Sequence, residues 1–591
     1  MSRTPSPLRP SRIRLWPWLA AVCASLILSA CGGGASNTSS DPDSKLTVSA
    51  AMVPGSDAEA YRFLSQATFG PTEADVARVK RIGYDNWIDE QFNTALQSSH
   101  LAMAESAAAT MGRTQATAGE VGYSWWTHAV RDPAQLRQRV AFALSEIFVI
   151  STLSIDDGRR VASYLDMLTT KADANYRDLL ESVAMHPAMG QYLSHLANRK
   201  EDGTGRVPDE NFAREVMQLF SIGLYELGDN GRPKLQAGQA TETYTAADIK
   251  GLARVFTGFS WYWPSTKSAL VWWKCFWRTT ECKDASQDVT AMSAYPQAHS
   301  TAEKQFLGVT VPAQDTADPQ ASLKAALDRL ATHPNTAPFI SKQLIQRLVT
   351  SNPSDAYVSD ITRVFRGSQG NLRAVVKAIL LHDEARHPAA SVLRTYGKLK
   401  EPVLRLTSLM RAIPHTSDRY NATASLPFYQ SDDTSDPGNQ LGQAPLRAPS
   451  VFNFFRPGYV APQSAMALQG LVAPEMQITT ETSVLGYANF ILRALDQGFG
   501  QWNSSTTNWD LRFDLSSWDN LVSTPDTLVD TLAKRLIGHT LPDDARAQAI
   551  AAVSALPINS SNATTLAKQR RQRIQAAIAV ICVTPEFIVQ Q

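Results

Sequence analysis

Asp209, Glu210, Asn211, Arg214, Glu215 and Gln218 fall within ten residues, the densest run of groups able to exchange protons or coordinate a cation in this 591-residue chain. If the run from Asp209 to Phe220 is a helix, Phe212, Val216, Leu219 and Phe220 make its core stripe. Asn211, Arg214, Glu215 and Gln218 then line the adjacent face at three- and four-residue spacing, and Glu210 and Arg214 can pair. Pro208 and Asp209 read as its amino end, where the helix dipole favours negative charge.

Three readings of this run stay open. Glu210 and Glu215 can act as acid and base, with Arg214 as an anion clamp. Asn198, Asp209 and Glu210 can be oxygen ligands for Ca2+ or another divalent cation, although such a site needs six or more ligands and no EF-hand loop is present. The third reading is structural: a capped helix start laced by an arginine–carboxylate network.

The second concentration is aromatic. Trp261, Trp263, Trp272, Trp273 and Trp277 place five of the thirteen tryptophans within seventeen residues, with Tyr262 and Phe276 among them. Such rings suit a surface that stacks sugar rings or anchors a partner, or they fold into a small core of their own. Cys275 and Cys282 sit in the same loop, and a local disulfide is expected between them. Cys582, in an apolar run, reads as a buried hydrophobe.

The amino terminus offers a different chemistry. Arg3, Arg9, Arg12 and Arg14 precede an apolar run from Leu15 to Leu28 that ends Leu28-Ser29-Ala30-Cys31. A charged start, an apolar stretch too short to span a bilayer and small residues before a cysteine describe an export signal. Small Ser29 and Ala30 admit a processing enzyme, and the Cys31 thiol is a nucleophile for acyl transfer. The pattern resembles the bacterial lipoprotein box, which implies cleavage after Ala30 and a lipid anchor on Cys31. Gly32, where Asp would signal inner-membrane retention, points to the outer membrane. Residues 1–30 are thus expected to be the signal and 31–56, rich in Gly, Ser, Asn and Asp, a flexible tether. The formal charge is +1, and losing four arginines with no acid leaves a mature chain near −3, which gives no electrostatic case for nucleic acid.

The elements that must position these groups read as helices. Apolar residues recur at helical spacing over 58–64, 71–82, 136–148, 335–349, 392–413, 524–536, 543–556 and 564–583. Strand-like alternation is scarce, so residues 57–591 are expected to be an all-α body with irregular or hairpin insertions near 260–300 and 414–463. Glu146 lies in an apolar run and, once buried, needs a partner, for which Arg137 or Arg139 is nearest. His299 and Glu303 could share a helical face, and His333 precedes Pro334, but neither completes a zinc set. No GxSxG elbow, P-loop or dinucleotide fingerprint occurs.

Several stretches, in order, resemble the bacterial domain-of-unknown-function 1800 family. They are residues 61–72, 137–151, 186–198, 208–223, 244–249, 257–258, 299–308 and 333–340. That resemblance implies a mainly helical exported protein with no established activity, often encoded beside secreted proteins similar to alkaline phosphatases. Leu144-Ser145-Glu146 stands where many relatives read Phe-Trp-His, and Asp209 where Asn is common, so no role of that histidine carries over. Two functions fit: a lipid-anchored envelope module that binds a secreted phosphatase-like partner or a polysaccharide through the Trp-rich loop, or an envelope hydrolase built on Glu210, Arg214 and Glu215.

Overall fold

The computed structural model describes residues 53–391, 393, 395–420 and 426–591. The export signal, Cys31 and nearly all of the tether lie outside the described residues. The body is helical, with only small sheets of two or three strands. Buried residues from Ala60 to Phe587 join one continuous hydrophobic cluster. The Gln135–Ser145 helix is buried on nearly every side, and its polar Gln135, Gln138 and Arg139 are buried along with Leu136, Val140 and Leu144. No helix among the described residues is long and apolar enough to cross a membrane.

Two sequence expectations are corrected. Among its described residues, the amphipathic stretch at 392–413 is helical only over Pro402–Ala412, since Pro402 belongs at a first turn and not in a helix interior. Before it, Lys398–Leu399 pairs with Val589–Gln590 and ties the carboxyl terminus to the centre of the body. His299 and Glu303 share no helical face: the first follows a 3-10 turn, Pro296–Ala298, and the second precedes a strand, Lys304–Phe306. The sheet of His415–Ser417, Asn508–Phe513 and Phe499–Asn503 is an element the periodicity reading left out. The hairpin expected near 260–300 is present, with Phe259–Ser260 paired to Ser293–Ala294.

The motif stretches meet at one joint. Thr245 and Asp248 form a capping box at the start of the Ala246–Val255 helix, and Asp248 also accepts the Leu307 amide at 2.6 Å. Gly251 lets this helix touch the Lys304–Phe306 strand, because a Cβ there would sit 1.7 Å from the Gln305 carbonyl oxygen. Gly251→Ala should therefore force the helix off the strand and lower stability by about 1–3 kcal/mol, read as a drop in the unfolding midpoint in urea. Thr257 Oγ1 accepts the Ser300 amide, and His299 Nδ1 donates to the Thr257 carbonyl at 2.7 Å. Gly258, at φ 77°, donates its amide to the Asn198 carbonyl at 2.8 Å.

Candidate functional site

The helix in the acidic run is Asn211–Gln218, shorter than the expected 209–220, with Glu210 as its flanking residue and no side-chain cap from Glu210. Asp209 performs that task from one residue earlier: its Oδ1 accepts the Asn211 amide at 2.8 Å and its Oδ2 the Ser194 hydroxyl at 3.1 Å. Asn198 clamps the same residue, accepting the Asp209 amide at 2.9 Å and donating to its carbonyl at 3.3 Å. The polar atoms of Asn198 and Asp209 are thus turned on each other and on the backbone.

Glu210 and Arg214 form an ion pair at 3.5 Å on the surface. Glu215 turns inward, and its Oε2 is buried without a partner. Burial raises its carboxyl pKa, against the lowering pull of Arg214. Its charge in turn helps to raise the neighbouring Tyr192 and Tyr244 phenols, where burial acts first. The two glutamates therefore occupy opposite environments, one wet and one dry, with Arg214 between them in sequence. Among the described residues, no group of three or more His, Cys, Asp or Glu side chains is arranged to hold a metal ion.

The histidines of the motifs serve as helix caps and core rings. His186 Nδ1 accepts the Ala188 amide at 3.1 Å, and His333 Nδ1 accepts the Asn335 amide at 3.2 Å. His195 stacks on Phe212 with centroids 3.8 Å apart. Burial pushes His186 down to about 3, helped by Arg160, and burial alone brings His195 to about 4. His299 is likewise held near 4 by burial. Each stays neutral in the folded protein while its unfolded counterpart gains a proton below 6.5. The unfolded state binds more protons in that window, so stability should fall steadily as pH drops from about 6.5 to 4, which urea midpoints across that range will show.

The Trp-rich loop resolves into two layers. Trp263 lies flat on Tyr295, centroids 5.7 Å apart at 6°, and Trp272 packs edge-on against Phe276. These rings join Cys275, Cys282, Tyr295 and Ala298 in a satellite core, and the Cys275–Cys282 disulfide is formed. The guanidiniums of Arg160 and Arg278 both lie against Trp261, 4.9 and 4.5 Å from its ring centroid. Both arginines are fixed by buried Asp288, at 2.6 Å from each. Burial works to raise the Asp288 carboxyl, but the hydrogen bonds from Arg278 and Arg160 outweigh it and hold its pKa below the usual range.

Trp273 and Trp277 make the outer layer. They are one turn apart on and just after the Trp272–Phe276 helix and keep 44% and 48% of their surface exposed. Val271 beside them is also exposed. Arg199, next to Asn198 in the chain, sits 5.0 Å over the Trp277 ring, and Lys274 sits 5.8 Å over Trp273. Of the five tryptophans singled out by sequence, three brace a platform and two present it.

Sequence reasoning missed a third constellation. Glu146 turns away from Arg137, which pairs with Asp173, and from Arg139. Its partners are Asn453, donating to Oε1 at 2.9 Å, and Arg347, 3.9 Å from Oε2. Both are roughly 200 to 300 residues away in the chain, and no local pattern announces them. Lys398, Glu401, Glu475 and Arg139 complete a fully buried cluster.

No curated protein and no solved structure matches the chain. A family model described as a protein of unknown function, DUF1800, matches residues 62–589. With the capped helices, the Thr257–Gly258 joint and the His-Pro turns all falling inside that span, the chain belongs to the DUF1800 family.

Proposed function

We propose that this is an exported, lipid-anchored envelope protein that binds an extracellular polysaccharide through the face formed by Trp273 and Trp277. One observation carries the reading: two exposed indole rings stand side by side on a platform fixed by a disulfide, a buried Asp288–arginine clamp and an aromatic core. Exposed flat rings backed by rigid packing stack on sugar rings with little ordering cost. The disulfide supports an oxidising compartment outside the cytosol, and Cys31 supplies the mooring at the outer membrane. The hydrolase alternative draws support from Glu215, a buried carboxyl of raised pKa beside Arg214. Against it, Asn198 and Asp209 are consumed by backbone clamping, and Glu210 lies outside while Glu215 lies inside.

Mass spectrometry of the membrane-fraction protein tests the mooring, with a lipid-modified Cys31 at the new amino terminus as the expected result. An intact leader, or an unmodified Cys31 in soluble extract, would refute it. Co-sedimentation of the native protein with purified envelope polysaccharide tests the binding. Retention in the pellet, competed by soluble fragments of the same polysaccharide, supports the reading; recovery only in the supernatant refutes it.

A further inference from the structure

Fifteen residues from Tyr459 to Ala473 pass without a charged side chain, and none of them is buried. Leu468 in this segment is 84% exposed, more than any other large hydrophobic side chain among the described residues. Half-buried Met466 and Leu471 stand close to it in the chain. The segment is a built loop: the Ala473 amide donates to the Tyr459 carbonyl at 2.7 Å and closes its base. Asn352 clamps one limb, accepting the Val472 amide at 2.8 Å and donating to its carbonyl at 2.9 Å, and Gln346 donates to the Pro457 carbonyl at 3.3 Å below the other. The tip satisfies its own backbone. The Ser464 hydroxyl accepts the Ala467 amide at 3.2 Å at the start of the Ala465–Leu468 turn, and the next four amides, Leu468 to Leu471, donate to carbonyls within 464–467 at 3.0 to 3.1 Å. Five successive amides at the tip therefore need no water, which is what backbone entering a lipid surface requires. At the foot of the loop, exposed Arg456 has no carboxylate partner among the described residues and lies 4.8 Å over the exposed Phe452 ring.

We propose that the 459–473 loop is a second point of membrane contact: its tip inserts Leu468, with Met466 and Leu471, among the headgroups of a phospholipid bilayer while Arg456 meets lipid phosphates. The inference rests on the Cys31 mooring only for the nearness of that bilayer. Val53 lies 22 residues after Cys31, and a chain of that length spans at most about 75 Å, comparable with the width of a body this size, so the anchor lets this face reach the lipid. Taking one such leucine out of water shifts partition about tenfold to a hundredfold, and the uncharged loop above an unpaired cation matches the order of a lipid surface, apolar within and anionic at the rim. A protein partner fits less well. A stable protein interface buries about 800 Å2 on each side, far more than one leucine and two half-buried neighbours offer, whereas lipid asks for no complementary shape.

Photocrosslinking from the loop reads its surroundings directly. The full chain carries benzoylphenylalanine at position 468 or, as a control, at position 502, where Trp502 is 52% exposed just past the Glu481–Asp496 helix. The exported protein is irradiated in its membrane fraction and its peptides are weighed. The expected result is a phospholipid adduct on the 468 peptide and none on the 502 peptide. A polypeptide adduct at 468 assigns the tip to a protein partner, no adduct there leaves it in water, and phospholipid in equal yield at both positions reports random collision; each of these overturns the proposal. The same spectra report Cys31, so the two readings fail separately. A lipid-modified Cys31 without the 468 adduct removes the loop contact alone, and an unmodified Cys31 with that adduct removes the mooring alone. In vesicles of phosphatidylethanolamine and phosphatidylglycerol, Arg456→Gln should lower the 468 adduct yield by up to about fivefold, the worth of one basic residue at an anionic surface. An unchanged yield would overturn the phosphate contact of Arg456.

Discussion

Replacing Glu475 by alanine is expected to destabilise the protein by about 3–5 kcal/mol, the cost of leaving a buried charge without its partner. Lys398 Nζ lies 3.0 Å from Glu475 Oε1, and neither side chain has appreciable exposure. After the change the ammonium keeps only the Arg347 carbonyl at 3.0 Å and a distant Glu401 at 3.9 Å. Such a pair is not evidence of high stability, because most of its attraction offsets the loss of hydration. The companion variant makes that distinction: Lys398→Met with Glu475→Met removes both charges and should recover most of the loss. Urea unfolding of the two variants beside the native chain checks both statements. If Glu475→Ala costs under about 1 kcal/mol, the cluster is open to water and its burial has been misjudged.

Asp288→Ala should be comparably damaging, but locally. It strands Arg160 and Arg278, two guanidiniums drawn 2.6 Å from one carboxylate and both lying against the Trp261 ring. The expected loss is again about 3–5 kcal/mol for the platform, because the group removed is buried and doubly paired. It should appear as red-shifted tryptophan emission and faster exchange over 261–295, before any change in the Gln135–Ser145 core helix. Since the folded Asp288 carboxyl titrates below its ordinary 3.8, its contribution is present above that value and is lost only as pH falls through the lower folded one. Native protein and variant should therefore converge only in strong acid.

What was legible in the sequence was whatever depends on near neighbours. Helical periodicity located Thr336–Leu348 and Ala563–Cys582 to within a residue or two, and seven-residue spacing within one aromatic-rich loop gave the Cys275–Cys282 disulfide. The signal for the missed hairpin was present too, since Trp509, Leu511 and Phe513 alternate with Asp510 and Arg512. The rest depended on distance along the chain. Glu146 finds Asn453 rather than the arginines a turn away because Arg137 is claimed by Asp173 and Arg139 by the Arg347 carbonyl. Likewise, nothing in the run from Trp261 to Trp277 distinguishes rings that brace from rings that face out. That division is set by Asp288, Arg160 and Tyr295, which arrive from other parts of the fold.

The account stands on Trp273 and Trp277 doing the binding while the acidic run holds the fold. The direct measurement is the affinity of two paired variants for envelope polysaccharide, Trp273→Ala with Trp277→Ala and Glu210→Gln with Glu215→Gln, both first shown to be folded. The tryptophan variant should bind about tenfold more weakly or worse, as expected for two stacking rings at about 0.5–1.5 kcal/mol each, while the glutamine variant binds like the native protein. Native affinity in the tryptophan variant, with binding or turnover lost in the glutamine variant, would contradict it and return the function to the Glu210–Glu215 helix.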